Sequence, residues 1–365
     1  MGACNSYDAY NNKQVANQLA IARHLGITQA TVSMALRNHP RVSLKMRERV
    51  REAARELGYR PNPYVTSLMT TIREGRSPQD YGCIAILVDE ASVDAWLDWH
   101  RETYTANYGG YRQEANQHGY HVECFCLRAP DTSPELIDRR LRARGIQGLI
   151  LAAPRLSHKW PELNIRWENY ASVAVSHTWR QPVVNRVATY HTQSMMMTYN
   201  ALLRRGCRRI GFCQPTPSQI HEIPSLWMAG YLMSQWEFSD LPKLDPFVGT
   251  VHDTSEAEFR RWFRRWKPDA LITAIGDEAP RLQAMGIPCS RRERNGVQIA
   301  CLNRPRDSPF PGIDENHEIL GRKACELVIK QLVHNQHGIP EHPTEVLVPG
   351  DWVEEAPASV TLSAG

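Results

Sequence analysis

Nowhere does the 365-residue chain hold an apolar run near the roughly 18 residues that a membrane-spanning helix needs. The strongest runs, Cys83 to Val88 and Gly148 to Ala153, have strand length, and no membrane partner is expected. The opening residues MGACNSYDAYNNKQVANQLA lack the basic start and apolar block of a secretory signal. The nine cysteines, odd in number and scattered, therefore read as reduced thiols, and the cytoplasm is the expected compartment. Met1, Gly2 and Ser6 fit a myristoylation pattern too short to carry weight, and residues 1–13 are read as a disordered leader.

Active-site signatures are missing too. There is no G-x-S-x-G elbow, no phosphate loop, no H-E-x-x-H zinc helix and no G-x-G-x-x-G dinucleotide turn, so neither an enzyme nor a cofactor is expected. His118, His121, Cys124 and Cys126 have the right chemistry for zinc. In a strand, however, Cys124 and Cys126 face one way and His121 the other, so these four are not expected to converge and no metal is assigned.

What the chain does have is ordinary globular composition, with 42% hydrophobic and 22% charged residues, and an uneven spread of charge. Between Gln14 and Arg76 the net charge is +7, whereas the rest of the chain sums to −3. A basic module attached to a near-neutral body suits a polyanion such as DNA, because neutralising phosphates supplies the sequence-independent part of nucleic-acid affinity.

Periodicity gives that module a shape. Leu19, Ala22 and Leu25 recur at helical spacing and Gly26 suits a helix stop. Thr28 can cap a second helix over Gln29 to Leu36, with Val32 and Leu36 inward and Gln29, Ala30, Ser33 and Met34 outward. Ser43 can cap a third over Leu44 to Leu57, with Met46, Val50, Ala53, Ala54 and Leu57 as its buried stripe.

From Leu19 to Asn62 the string LAIARHLGITQATVSMALRNHPRVSLKMRERVREAARELGYRPN resembles the DNA-binding domain of the lactose/galactose repressor family without a gap. The resemblance implies that the second helix enters the major groove. It puts Gln29, Ala30 and Met34 at base-reading positions and Thr28, Thr31, Ser33 and Arg37 near phosphates. Gln29 can pair bidentately with adenine, whereas Ala30 and Met34 offer only apolar contact. Asn62 to Thr71 would be the family's hinge helix, with Leu68 as its minor-groove wedge.

Beyond Tyr81, short β-rich runs alternate with helical segments, which predicts βαβ units and parallel sheets. The expected fold class is an all-α helix-turn-helix domain followed by an α/β two-lobed domain similar to periplasmic binding proteins. The boundaries are 14–61 for the head, 62–80 for hinge and linker, 81–350 for the effector-binding and dimerisation domain, and 351–365 for a tail. The resemblance continues through GGYRQEANQHGY, LLRRGCRRIGF, AGY and LGRKACELVIKQL, more loosely than in the head.

Departures from the family bear on the ligand. Trp227 stands where the family commonly has arginine, Asn303 where it has aspartate, and His191 near the start of the second lobe where another aspartate is usual. Arginine and aspartate are the usual partners of sugar hydroxyls, and their replacement leaves stacking and neutral hydrogen bonds. The crevice candidates are Trp96, Arg155, His177, Trp227, Asp277 and Asn303.

The expected function is that of a DNA-binding transcriptional repressor acting as a homodimer on a near-palindromic operator. A small molecule, a sugar among the candidates, would bind between the lobes and change their angle. The alternatives are an α/β binding protein or enzyme whose N-terminal helices mediate protein contacts, and a regulator with a vestigial pocket.

Overall fold

A computed structural model describes residues 18–36, 42–57, 82–99, 101–154, 163–179, 181–215, 223–249, 254–289 and 296–354. The chain divides into two compact units, Met1–Ser77 and Pro78–Gly365. The expected leader and the expected hinge, Leu68 included, lie outside the described residues.

In the first unit, α1 (Gln18–Leu25), α2 (Gln29–Leu36) and α3 (Leu44–Glu56) enclose a core of Ile21, Ala22, Val32, Ala35, Val50, Ala53 and Ala54. Gly26, at φ 66°, takes the left-handed conformation that lets the chain turn sharply between α1 and α2. The fully buried residue of α1 is Ile21, which the i, i+3 reading passed over, while Leu25 is only partly buried. A short helix crossed by two others buries a wider stripe than one row of threes.

The second unit opens with β1 (Gly82–Val88), α4 (Val93–Trp99), α5 (Arg101–Gln117), β2 (Tyr120–Cys126), α6 (Pro134–Ala143), β3 (Gly148–Leu151), β4 (Ala171–Val175) and β5 (Asn185–Thr189). Next come α7 (His191–Arg204), β6 (Ile210–Gln214), α8 (Ile223–Glu237), β7 (Phe247–Val248), α9 (Glu256–Trp266), β8 (Ala270–Thr273), α10 (Ala279–Ala284), β9 (Gln298–Cys301) and β10 (Gly312–Asp314). The last elements are α11 (His317–Val333), β11 (Glu345–Val348) and β12 (Asp351–Val353).

Two six-stranded sheets result, ordered β11-β5-β4-β3-β1-β2 and β12-β10-β9-β8-β6-β7. Every described pairing is parallel except β10 with β12. Central strands such as β3, β4, β8 and β9 are buried along their whole length, as strands covered on both faces must be. The chain leaves the first lobe after β5, returns through α11 to β11, and re-enters the second at β12. Strand β12 falls in the stretch that the sequence reading gave to a tail, and it closes the edge of the second sheet against β10.

Helices α5 and α11 cross on the first sheet with their backbones nearly touching. A Cβ on Gly110 would run into the Glu318 carbonyl oxygen and sit 2.8 Å from the Arg322 nitrogen, and one on Gly321 would run into the Asn107 carbonyl oxygen. This crossing brings the start of α11 and the middle of α5 to the mouth of the crevice between the lobes.

Candidate functional sites

In the first unit, the Thr28 hydroxyl accepts a hydrogen bond from the Thr31 backbone nitrogen at 3.2 Å and lies 2.9 Å from the Thr31 hydroxyl. The second helix therefore begins with a side-chain cap, which satisfies one of its free N–H groups. Gln29 and Ala30 project into solvent; Thr31, Ser33 and Met34 are half-buried, and Met34 packs partly against the core. Arg37 lies outside the described residues. Gln29 is thus the exposed side chain of this helix with a paired donor and acceptor, the equipment that reads an adenine edge.

In the second unit, a cavity of about 410 Å³ opens between the lobes. Trp227, Asp277 and Asn303 line it, together with Tyr104 and Asn107 from α5 and Thr178 after β4. Trp96 lies outside that lining, buried under α5 with its ring 5.5 Å from Tyr104 and 6.0 Å from Tyr108. His177 also falls outside, in the turn that Ser176 opens after β4 with a left-handed backbone (φ 71°), although its neighbours Ser176 and Thr178 line the cavity. Arg155 is outside the described residues.

Trp227 is held by the Ala-Gly-Tyr run that follows it. Gly230 lets α8 approach α7 so closely that a Cβ would stand 2.6 Å from the Thr192 carbonyl oxygen. Tyr231 then donates to the carbonyls of Ile210 and Leu244, each at 3.0 Å. With the helix fixed, the Trp227 indole meets His191 edge-on, ring centres 5.7 Å apart.

His191 belongs to a buried network that the sequence reading missed. Its Nδ1 lies 3.2 Å from Glu315 Oε1, and His317 Nε2 lies 3.6 Å from Glu315 Oε2. Burial pushes the Glu315 carboxyl up, but the two histidines outweigh it and hold the group below its ordinary value. His317 Nε2 also lies 3.2 Å from the Thr103 hydroxyl and 3.4 Å from Asn303 Oδ1, so one imidazole links α5 of the first lobe to the strand end of the second. The Arg306 backbone nitrogen donates to Glu102 across the same gap at 2.9 Å.

Behind this network, His177 Nε2 lies 2.8 Å from Glu345, an arrangement that alone would favour the imidazolium. Burial, then His191 and Arg186, nevertheless push its value down to about 4, so a neutral ring donates to the carboxylate at neutral pH.

Apart from His191 Nδ1 and Glu315 Oε1, which face each other at 3.2 Å, three buried polar atoms on cavity-lining residues have no hydrogen-bond partner among the described residues: Asn107 Oδ1, Thr178 Oγ1 and Trp227 Nε1. An acceptor, a hydroxyl and a donor left open beside an aromatic face are what a small polar molecule would satisfy. Among the described lining residues there is no lysine or arginine.

Of these groups, Trp227, His191 and Asn303 stood out in the sequence as departures from a family pattern, and His177 and Asp277 were crevice candidates there too. Asn107, Thr178, Glu315 and His317 carried no such mark. The Glu-Asn-His spacing at the start of α11 was the one local signal available.

Comparison with known proteins gives two kinds of likeness. Residues 20–62 match the family described as bacterial regulatory proteins, lacI family. The HTH-type transcriptional regulator AglR of Rhizobium meliloti (strain 1021) is 37% identical over 131 residues, which is 35% of this chain and only 32% of that protein's length. The NTD biosynthesis operon regulator NtdR of Bacillus subtilis (strain 168) is 23% identical over 308 residues, 80% of this chain and 81% of NtdR.

Among solved structures, the transcriptional regulator CelR in complex with cellobiose superposes with a TM-score of 0.56 at 18% identity, covering 93% of this chain and 99% of CelR. The lac repressor dimer bound to operator and the anti-inducer ONPF does so at 0.51 and 17%, covering 94% and 98%. At these identities the structural likeness speaks for the fold alone.

Proposed function

We propose that the chain, whose residues 20–62 match the lacI family of bacterial regulatory proteins, is a DNA-binding repressor whose operator affinity is set by a small polar molecule, a sugar in the first instance, held between its two lobes. The observation that carries the reading is the trio of unpartnered polar atoms on Asn107, Thr178 and Trp227 around one cavity. CelR, a neighbour of the same fold, was solved with cellobiose, which supports looking among sugars first.

The mechanism follows from the network at the mouth. His317 contacts Thr103 of one lobe and Asn303 of the other, so a ligand competing for either contact changes the relative cost of open and closed arrangements. A protein acting as a homodimer on a near-palindromic operator would convert that change into a different spacing of two heads. Arg37 at the phosphate and Leu68 as a minor-groove wedge complete the proposed DNA contacts by resemblance.

Thermal denaturation against a panel of mono- and disaccharides tests the ligand half. A ligand at 100 times its Kd should stabilise the protein by about 2.7 kcal/mol. Trp227→Ala and Thr178→Ala should each reduce that stabilisation, and the same sugar should change affinity for operator DNA. Stabilisation by no sugar, or stabilisation indifferent to both substitutions, would overturn the reading.

A further inference from the structure

The outer strand pair of the first lobe carries chemistry that neither DNA binding nor the crevice uses. Strands β1 and β2 run parallel with Cys83 opposite His121 and Ala85 opposite Glu123. Neighbours in register, and residues two apart on one strand, share a face, so Cys83, His121 and Glu123 stand together. Their ligand-capable atoms all lie within 4.8 Å of one another.

The four residues that the sequence offered for zinc do not meet. His118 turns back on its own helix, with Nδ1 3.0 Å from the Glu114 carbonyl oxygen, and Cys124 and Cys126 alternate away from His121. The strand pairing, which no local pattern revealed, supplies a different set.

We propose that Cys83, His121 and Glu123 bind a divalent transition-metal ion of the zinc class at the edge of the first sheet. A thiolate, an imidazole and a carboxylate suit zinc or cobalt and disfavour calcium and magnesium, which take oxygen ligands. Bond lengths of about 2.0–2.3 Å require donor atoms roughly 3.5 Å apart, so the cluster must close by about 1 Å. His121 is exposed and Glu123 half-exposed, so both can turn, while the buried Cys83 holds the inner corner.

Arg144 grips both oxygens of Glu123. It orients the carboxylate as outer hydrogen-bonding partners of metal ligands do, and yields one oxygen to the ion. Binding transfers the Cys83 thiol proton to solvent, changes no oxidation state and leaves a fourth position for water.

Cobalt(II) titration of the reduced, chelator-stripped full chain tests this. One equivalent should give a thiolate-to-cobalt charge-transfer band with the intense visible bands of four-coordinate cobalt, and zinc should abolish both. The bands should disappear in Cys83→Ser and in His121→Ala, weaken in Glu123→Gln, and persist in Cys124→Ser and Cys126→Ser. Because His121 is exposed, its replacement leaves the fold intact and keeps the test clear of misfolding. No bands in the wild type, or bands that survive either Cys83→Ser or His121→Ala, would overturn the site.

Discussion

Glu278 shows how a single side chain can set a pH dependence. It is 2% exposed at the start of α10, and burial followed by the neighbouring Asp277 charge pushes its carboxyl up to about 9. In the unfolded chain the same group ionises at its ordinary value near 4.5. Between those two values the unfolded state releases a proton that the folded state keeps, so raising the pH favours unfolding. Glu278→Gln removes this liability. The variant should be more stable than wild type at about pH 8, and the difference should shrink towards zero by about pH 4 as the unfolded carboxyl protonates. Urea unfolding at both pH values checks it; a difference that does not change with pH would refute the assignment.

At the same scale, residue types with an unmistakable backbone duty were the easiest to read from sequence. Gly26 ends a helix with a left-handed residue, and Thr28 and Ser43 both cap helices. Trp227 could be placed because the Ala-Gly-Tyr run fixed its register. His317 and Glu315 could not, because their importance lies in partners on α5, just after β9 and at the start of α7, which only the folded chain brings within reach.

At the scale of elements, the crossing of α5 and α11 is the most exacting contact in the first lobe. Gly109 and Gly110 are adjacent in α5, yet a Cβ on Gly109 meets nothing within 4 Å while one on Gly110 meets the backbone of α11. Backbone cannot rotate aside as a side chain can. Gly110→Ala and Gly321→Ala should each cost about 3 kcal/mol or more. Gly109→Ala should instead stabilise by roughly 0.5–1 kcal/mol, since alanine restricts the unfolded chain and favours the helix. Equal effects at Gly109 and Gly110 in denaturant titrations would contradict the close approach.

Periodicity revealed the order of these elements, because buried parallel strands are short apolar runs and the helices between them are amphipathic. It did not reveal pairing. That β1 lies between β2 and β3, and that the final strand closes the second sheet, depend on contacts between residues far apart in sequence. The same limit hid the Cys83, His121 and Glu123 cluster.

At the scale of the whole molecule, a basic three-helix head is joined to two lobes through which the chain passes three times. Such multiple crossings suit a hinge, since neither lobe is tethered by one strand alone and both must move together about the connecting segments. Among the described residues no helix is long and apolar enough to cross a membrane. The three helices of the head were legible from sequence because local signals delimit them, the left-handed Gly26 and the caps Thr28 and Ser43. The crevice was legible only as a place, because its chemistry is assembled from many separate segments of the chain.

The central claim is that this head reads DNA as part of a symmetric pair, and selection from random double-stranded DNA by the purified full chain at near-physiological salt tests it most directly. The account predicts a two-fold symmetric motif in the bound pool, with Gln29→Ala relaxing one position in each half-site by about 1–3 kcal/mol of discrimination. A pool without enrichment, or a motif unchanged by Gln29→Ala, would contradict it.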